Sequence, residues 1–247
     1  MWYLIILIII FYIILNLLVT TGSFFESYIL QPIFWIIIAI ITLIIAKSEG
    51  LNILKFKKIK SWNLGKTPVQ AGLLLGGFQV ALLIIVGLLL GFGKSPFSLS
   101  PSTIIINTIF IGTFLIGAEL SRAYLIKKST IYTNRYITIK IVGIAILYMF
   151  LYNSLYEFSI ISFQNPELIL KLLGTTIIPI FSMNLLATYL SFRGGSTASM
   201  AYISILLGFE WFSPIGPNPH WMILALFKTI APAIGFLLIQ ESKEPLI

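Results

Sequence analysis

Ser102-Thr-Ile-Ile-Ile-Asn-Thr-Ile-Phe-Ile-Gly-Thr-Phe-Leu-Ile-Gly-Ala-Glu-Leu-Ser-Arg-Ala-Tyr-Leu-Ile126 is a run of 25 residues with one acid, Glu119, and one base, Arg122. Coiled as an α-helix it reaches ~37 Å, more than the ~30 Å of a bilayer's hydrocarbon core. A water-soluble helix with this pattern has almost no polar face to expose, whereas a helix in lipid needs none. The run predicts a transmembrane helix, and its two charges mark the face that turns away from lipid.

Seven more apolar runs surround it, at 2–19, 31–46, 68–92, 136–158, 168–190, 196–212 and 221–239. With 102–126 they predict an all-α chain, one transmembrane domain over residues 1–247 with about eight spans. Composition agrees: 58% of residues are hydrophobic and 10% charged, against roughly 25% charged in a soluble domain. Pro214, Pro217 and Pro219 predict a non-helical connection between the last two spans. The first run lacks a basic leader and a small-residue cleavage site, so it reads as a retained helix.

The same composition excludes several chemistries. Cysteine is absent, which rules out disulfides, thiolate metal sites and cysteine nucleophiles. His220 is the single histidine and all eight acids are glutamates, so neither a metal nor another cofactor is expected. The net charge of +8 has its cause in membrane orientation, and no nucleic-acid partner is expected.

Bases cluster in alternate connections. Lys47, Lys55, Lys57, Lys58, Lys60 and Lys66 follow the second span, Lys127, Lys128 and Arg135 the fourth, and Arg193 the sixth. The other connections hold Glu26, Lys94, Glu157, Glu167, Lys171, Glu210 and His220. The positive-inside bias then predicts a multi-pass protein of the cell membrane with both termini cytoplasmic. The Lys55 to Lys66 stretch reads as a positive-inside loop, with an interfacial segment as its alternative. Gly72-Leu-Leu-Leu-Gly76 and Gly87-Leu-Leu-Leu-Gly91 predict close backbone approach, either inside the bundle or between copies.

Ionisable and polar residues inside spans are the candidate site. Glu119 and Arg122 lie three apart on one helix face and can pair, either as an activated carboxylate with its orienting partner or as a structural lock. Asn184, Thr188 and Ser191 form a polar stripe on the sixth span, a turn after Pro179. Such a stripe lines a cavity or bonds to a neighbouring helix. Lys228, a turn before Pro232, is a candidate base or a partner for Glu119 or another carboxylate. Glu210, beside Trp211, and His220, beside Trp221, fall at the far surface. Ser182-Met183 echoes a signal-peptidase nucleophile, but mid-span and without a catalytic lysine downstream.

The stretch Ala187-Thr-Tyr-Leu-Ser-Phe-Arg193-Gly-Gly-Ser, with Phe209-Glu-Trp-Phe-Ser-Pro214-Ile-Gly-Pro217-Asn-Pro-His-Trp221, resembles the multi-spanning membrane domain of some archaeal and bacterial type I signal peptidases. The soluble β-domain that carries the Ser and Lys of those enzymes is not found in these residues. More distantly the chain is similar to the CAAX-protease and bacteriocin-processing family of eight-helix intramembrane proteases. Glu119 and Arg122 match that family's Glu-Glu-x-x-x-Arg motif with one Glu missing and the spacing shortened. Phe181 is followed by Leu185 where the family has His, with Asn184 adjacent. Tyr189 to Ser196 fits its Tyr-Leu…Arg-x-Gly-Ser turn, with no His following before His220.

The second resemblance implies Glu119 as the water-activating base, Arg122 as its partner and Asn184 in place of a histidine. The missing histidines imply that this chemistry runs poorly or not at all. The leading expectation is a non-catalytic scaffold or partner-binding subunit in protein export or processing. Its partners would be the lipid bilayer and other membrane subunits or a membrane-inserted peptide. One alternative is a glutamate-dependent intramembrane peptidase. Another is a small-solute or ion transporter using Lys228, Glu119 and the Asn184 stripe.

Overall fold

The computed structural model describes residues 1–18, 26–54, 67–131, 136–153 and 166–240. A π-helical turn at Glu26–Leu30 leads into α2 (Gln31–Ser48), which follows α1 (Trp2–Leu18). Next come α3 (Pro68–Leu90), α4 (Pro101–Ile131) and α5 (Ile137–Leu151). A short α6 (Pro166–Leu172) passes through a second π-helical turn, Leu173–Ile177, into α7 (Ile178–Gly194). Last are α8 (Ser196–Phe212) and α9 (Trp221–Gln240). Two three-residue strands, β1 (Phe92–Lys94) and β2 (Ile215–Pro217), pair antiparallel, with Gly93 opposite Gly216.

The described residues are all-α apart from that ribbon, as the apolar runs predict. Among the described residues five helical stretches are long and apolar enough to cross a bilayer: Tyr28–Ser48, Pro68–Leu90, Pro101–Ile131, Pro166–Gly194 and Trp221–Ile239. The other three apolar runs form shorter helices, α1 and α8 of 17 residues each and α5 of 15. The expected span 136–158 is helical only to Leu151, and residues 154–158 lie outside the described ones. The expected span 102–126 runs on to Ile131, because the polar turn after Ile126 is still helical.

Local chemistry sets the boundaries. Thr67 accepts from the Gln70 N–H at 3.2 Å and Pro68 opens α3, which is the usual start signal for a helix. Gly195, at φ 82°, ends α7 in a conformation that L side chains rarely adopt. Its neighbour Ser196 donates its N–H to the Ile53 carbonyl at 3.0 Å. One of the free amides at the start of α8 is thereby satisfied by the extended segment after α2.

Two apolar cores result. One joins α1, α2, α4 and α5 around Leu4, Ile8, Trp35, Ile38, Tyr124 and Tyr148. The other joins α3, α7, α8 and α9 around Leu75, Leu186, Leu190, Tyr202 and Ile239. Tyr152, just beyond α5, packs against both. The Gly72 and Gly76 repeat belongs inside the bundle: a Cβ at Gly72 would collide with the Ala198 carbonyl, and one at Gly76 would lie 2.9 Å from the Tyr202 carbonyl. At Gly87 a Cβ would strike the Phe92 ring, so the second repeat serves the turn into β1 and not a helix pair.

The bundle has two distinct ends. At one, Lys128 meets Glu49 at 2.8 Å, Tyr124 donates to Glu49 at 3.2 Å, and Gly195 packs on Leu54. Lys128 and Tyr124 hold the Glu49 carboxyl below its usual pKa against a smaller opposing effect of burial, and the chain's α-amino group adds to the shift. At the other end the ribbon is extended by Ser95 N–H to Pro214 carbonyl and Asn218 N–H to Gly91 carbonyl, and Phe97 stacks on Trp211 at 4.1 Å. From Trp221, close to Gly174, α9 runs back along the bundle, and Gly235 packs near Leu186 at the middle of α7. The Lys55 to Lys66 loop, Arg135, Glu157 and the Glu26 side chain lie outside what is described.

Candidate functional site: a buried ion pair and a separate chamber

α4 and α7 cross at a polar centre. Three residues apart on α4, Glu119 Oε1 and Arg122 Nη2 pair at 3.0 Å, and neither side chain has any solvent exposure. The guanidinium fork then reaches α7. Nη1 donates to the Asn184 carbonyl at 3.1 Å and to Thr188 Oγ1 at 2.9 Å, while Nη2 donates to Asn184 Oδ1 at 2.6 Å. Thr188 Oγ1 donates in turn to the Asn184 carbonyl at 2.7 Å. Glu119 and Arg122 of one span and Asn184 and Thr188 of another, read separately in the sequence, are thus brought together. Ser191 continues the stripe, buried, but its Oγ has no partner.

α5 closes the centre with two tyrosines one turn apart. The Tyr148 ring lies under the guanidinium, 4.2 Å from Cζ to the ring centroid, and its hydroxyl is 2.6 Å from Ser121 Oγ. Tyr152 donates to Glu119 Oε1 at 3.3 Å. A buried ion pair is stable only when further hydrogen bonds and packing offset its desolvation. Arg122 receives those from α5 and α7. Glu119 Oε2 and Arg122 Nε remain without partners.

Lys228 is elsewhere. The expectation that it meets Glu119 fails: among the described residues it forms no ion pair or hydrogen bond. It lines a partly open chamber of about 970 Å³ that reaches from the ribbon into the bundle. Glu210 is exposed and lines the same chamber, together with Lys94, Gln79, Tyr152 and Asn153. Aromatic and aliphatic walls come from Trp35, Phe110, Phe114, Met183 and Leu207. His220 is exposed at the ribbon end, tilted against Trp221 at 5.6 Å, and does not line the chamber. No cluster of three or more His, Cys, Asp or Glu occurs among the described residues.

Tyr152 is the link between the two sites. It lines the chamber while its hydroxyl holds Glu119, which does not line it. The tyrosines and Gln79 escaped the sequence reading. Tyr148 and Tyr152 carry the one-turn spacing of a common face, a signal easily lost among eleven tyrosines. Gln79 is the one amide between Ala71 and Gly91; it is buried on α3 and accepts from the Tyr202 hydroxyl at 2.7 Å.

Compared with protein-family models, with curated proteins and with solved structures, the chain matches none of them.

Proposed function

We propose that the protein is a non-catalytic membrane protein that holds a membrane-borne guest in its chamber, in protein export or processing at the cell membrane. In this reading it crosses the bilayer eight times in a CAAX-protease-like arrangement, with both termini cytoplasmic. Its basic connections alternate along the sequence with connections poor in bases, a pattern that supports this arrangement. Helices of 17 residues, such as α1 and α8, extend about 25 Å, a length that modest bilayer thinning accommodates.

The observation that carries the reading is the enclosure of Glu119. A general base must lie within about 2.6–3.2 Å of the proton it takes, or one water away. Here the carboxylate is fully buried, paired with Arg122 and separated from the chamber by Tyr152. A photo-reactive residue at Met183, on the chamber wall, is expected to capture a guest in native membranes. The same residue at the exposed Ile139 should capture only bulk lipid. Equal products from the two positions would sink the holding function.

One observation favours the peptidase alternative: Glu119 Oε2 has no partner, which leaves a lone pair free for water. That reading requires Glu119→Gln to abolish cleavage of a membrane peptide, and unchanged cleavage removes it.

A further inference from the structure

Lys228 is a described charge inside an apolar helix that the fold itself does not explain. It stands on α9, within the membrane-crossing stretch Trp221–Ile239. A lysine near the centre of such a helix costs roughly 2.5–3.5 kcal/mol on insertion scales, so cations there are normally paired. Arg122 shows what pairing looks like in this protein, with Glu119, Asn184, Thr188 and Tyr148 around it. Lys228 has none of these and faces the chamber.

The charge of the described lining is Lys94 and Lys228 against Glu210, a net of one positive. Glu210 is exposed, so water screens it more than the deeper Lys228. The rest of the lining is largely apolar, through residues such as Met183, Leu207 and Leu224. A partly open chamber of about 970 Å³ with aromatic and aliphatic walls has the size and lining that take a flexible apolar chain.

We propose that the chamber binds an amphiphile with an anionic headgroup of the phosphate type, its charge set against Lys228 and its chain along the aromatic and aliphatic walls. This deepens the holding function by naming the guest's chemistry, and it rests on that reading.

Hexadecyl phosphate, hexadecanol and inorganic phosphate can be titrated against the full-length protein in a neutral detergent. Hexadecyl phosphate is expected to bind at one per chain, hexadecanol more weakly and inorganic phosphate not measurably. Lys228→Met should weaken hexadecyl phosphate about ten- to a hundredfold, as loss of a charge-assisted contact implies, and leave hexadecanol unchanged. In the empty protein the same substitution should raise the thermal unfolding midpoint, because an unpaired cation has been removed. Lys228→Arg keeps the charge and should keep the binding.

Equal hexadecyl phosphate affinity in Lys228→Met would overturn the proposal. So would a lowered unfolding midpoint in that variant, which would make Lys228 a structural residue. Binding of inorganic phosphate as tight as that of hexadecyl phosphate would assign the site to a free anion instead. If Met183 crosslinking captures a protein guest while hexadecyl phosphate fails to bind, this inference falls and the holding function stands. If neither occurs, both fall.

Discussion

Arg122 organises more of this protein than any other single side chain. Its planar fork satisfies Glu119 on its own helix and Asn184 and Thr188 on α7, while Tyr148 of α5 stacks beneath it. A lysine could not reproduce that geometry. Removing the guanidinium leaves Glu119 fully buried without its partner, and breaking a buried pair from one side costs about 3–5 kcal/mol. We therefore expect Arg122→Leu to destabilise the protein by about that amount. Joining it with Glu119→Leu should recover a sizeable part, because the orphaned carboxylate is gone too. Unfolding in mixed detergent micelles measures both, and strictly additive losses would show that the two residues do not act as a unit. The pairing of Glu119 with Arg122 was legible from their spacing, since residues three apart share a helix face. The tyrosines that complete the centre were not, because aromatic residues in an apolar run look alike whether they face lipid or a guanidinium.

Among the elements, the contact between α3 and α8 is the one that chain composition made possible. Gly72 and Gly76 present bare backbone to Ala198, Tyr202 and Ile205, so the two helices approach closely. Glycine spacing alone left dimerisation as an equal option, and the partner helix became known only when α8 was seen to occupy that face. Gly72→Ala is expected to destabilise by about 1–3 kcal/mol, the usual effect of overpacking, since the new methyl would meet the Ala198 carbonyl. Gly77→Ala, next door, meets nothing within 4 Å and should be neutral or mildly stabilising, because alanine is the better helix former. Thermal unfolding of the two variants side by side checks the contrast. Equal effects would mean that α3 and α8 do not pack through this stripe. The π-helical turn before α7 and the β1–β2 ribbon were invisible to periodicity. The prolines between α8 and α9 announced only the absence of helix, and the ribbon depends on a partner strand more than a hundred residues earlier.

Over the whole molecule, the described contacts define a basic end and a ribbon end, and the absence of cysteine makes the proposed sidedness directly testable. Single cysteines replacing Ser98, beside the ribbon, and Ser48, at the basic end, both sit at exposed positions. In intact cells a membrane-impermeant maleimide should label the Ser98→Cys protein. The Ser48→Cys protein should react only after permeabilisation. Labelling of both from outside would overturn the proposed sidedness. By itself the sequence determined the solvent, the helical class and the grouping of basic connections, because these follow from local sums: apolar length against bilayer thickness, and charge counted loop by loop. Only the tertiary structure decided that Lys228 stays apart from the Glu119–Arg122 pair, that the pair lies apart from the chamber, and that Tyr152 stands between them. Those outcomes depend on which faces of distant helices meet. Where both solvent and core are apolar, the periodicity that would distinguish one face from another is largely erased.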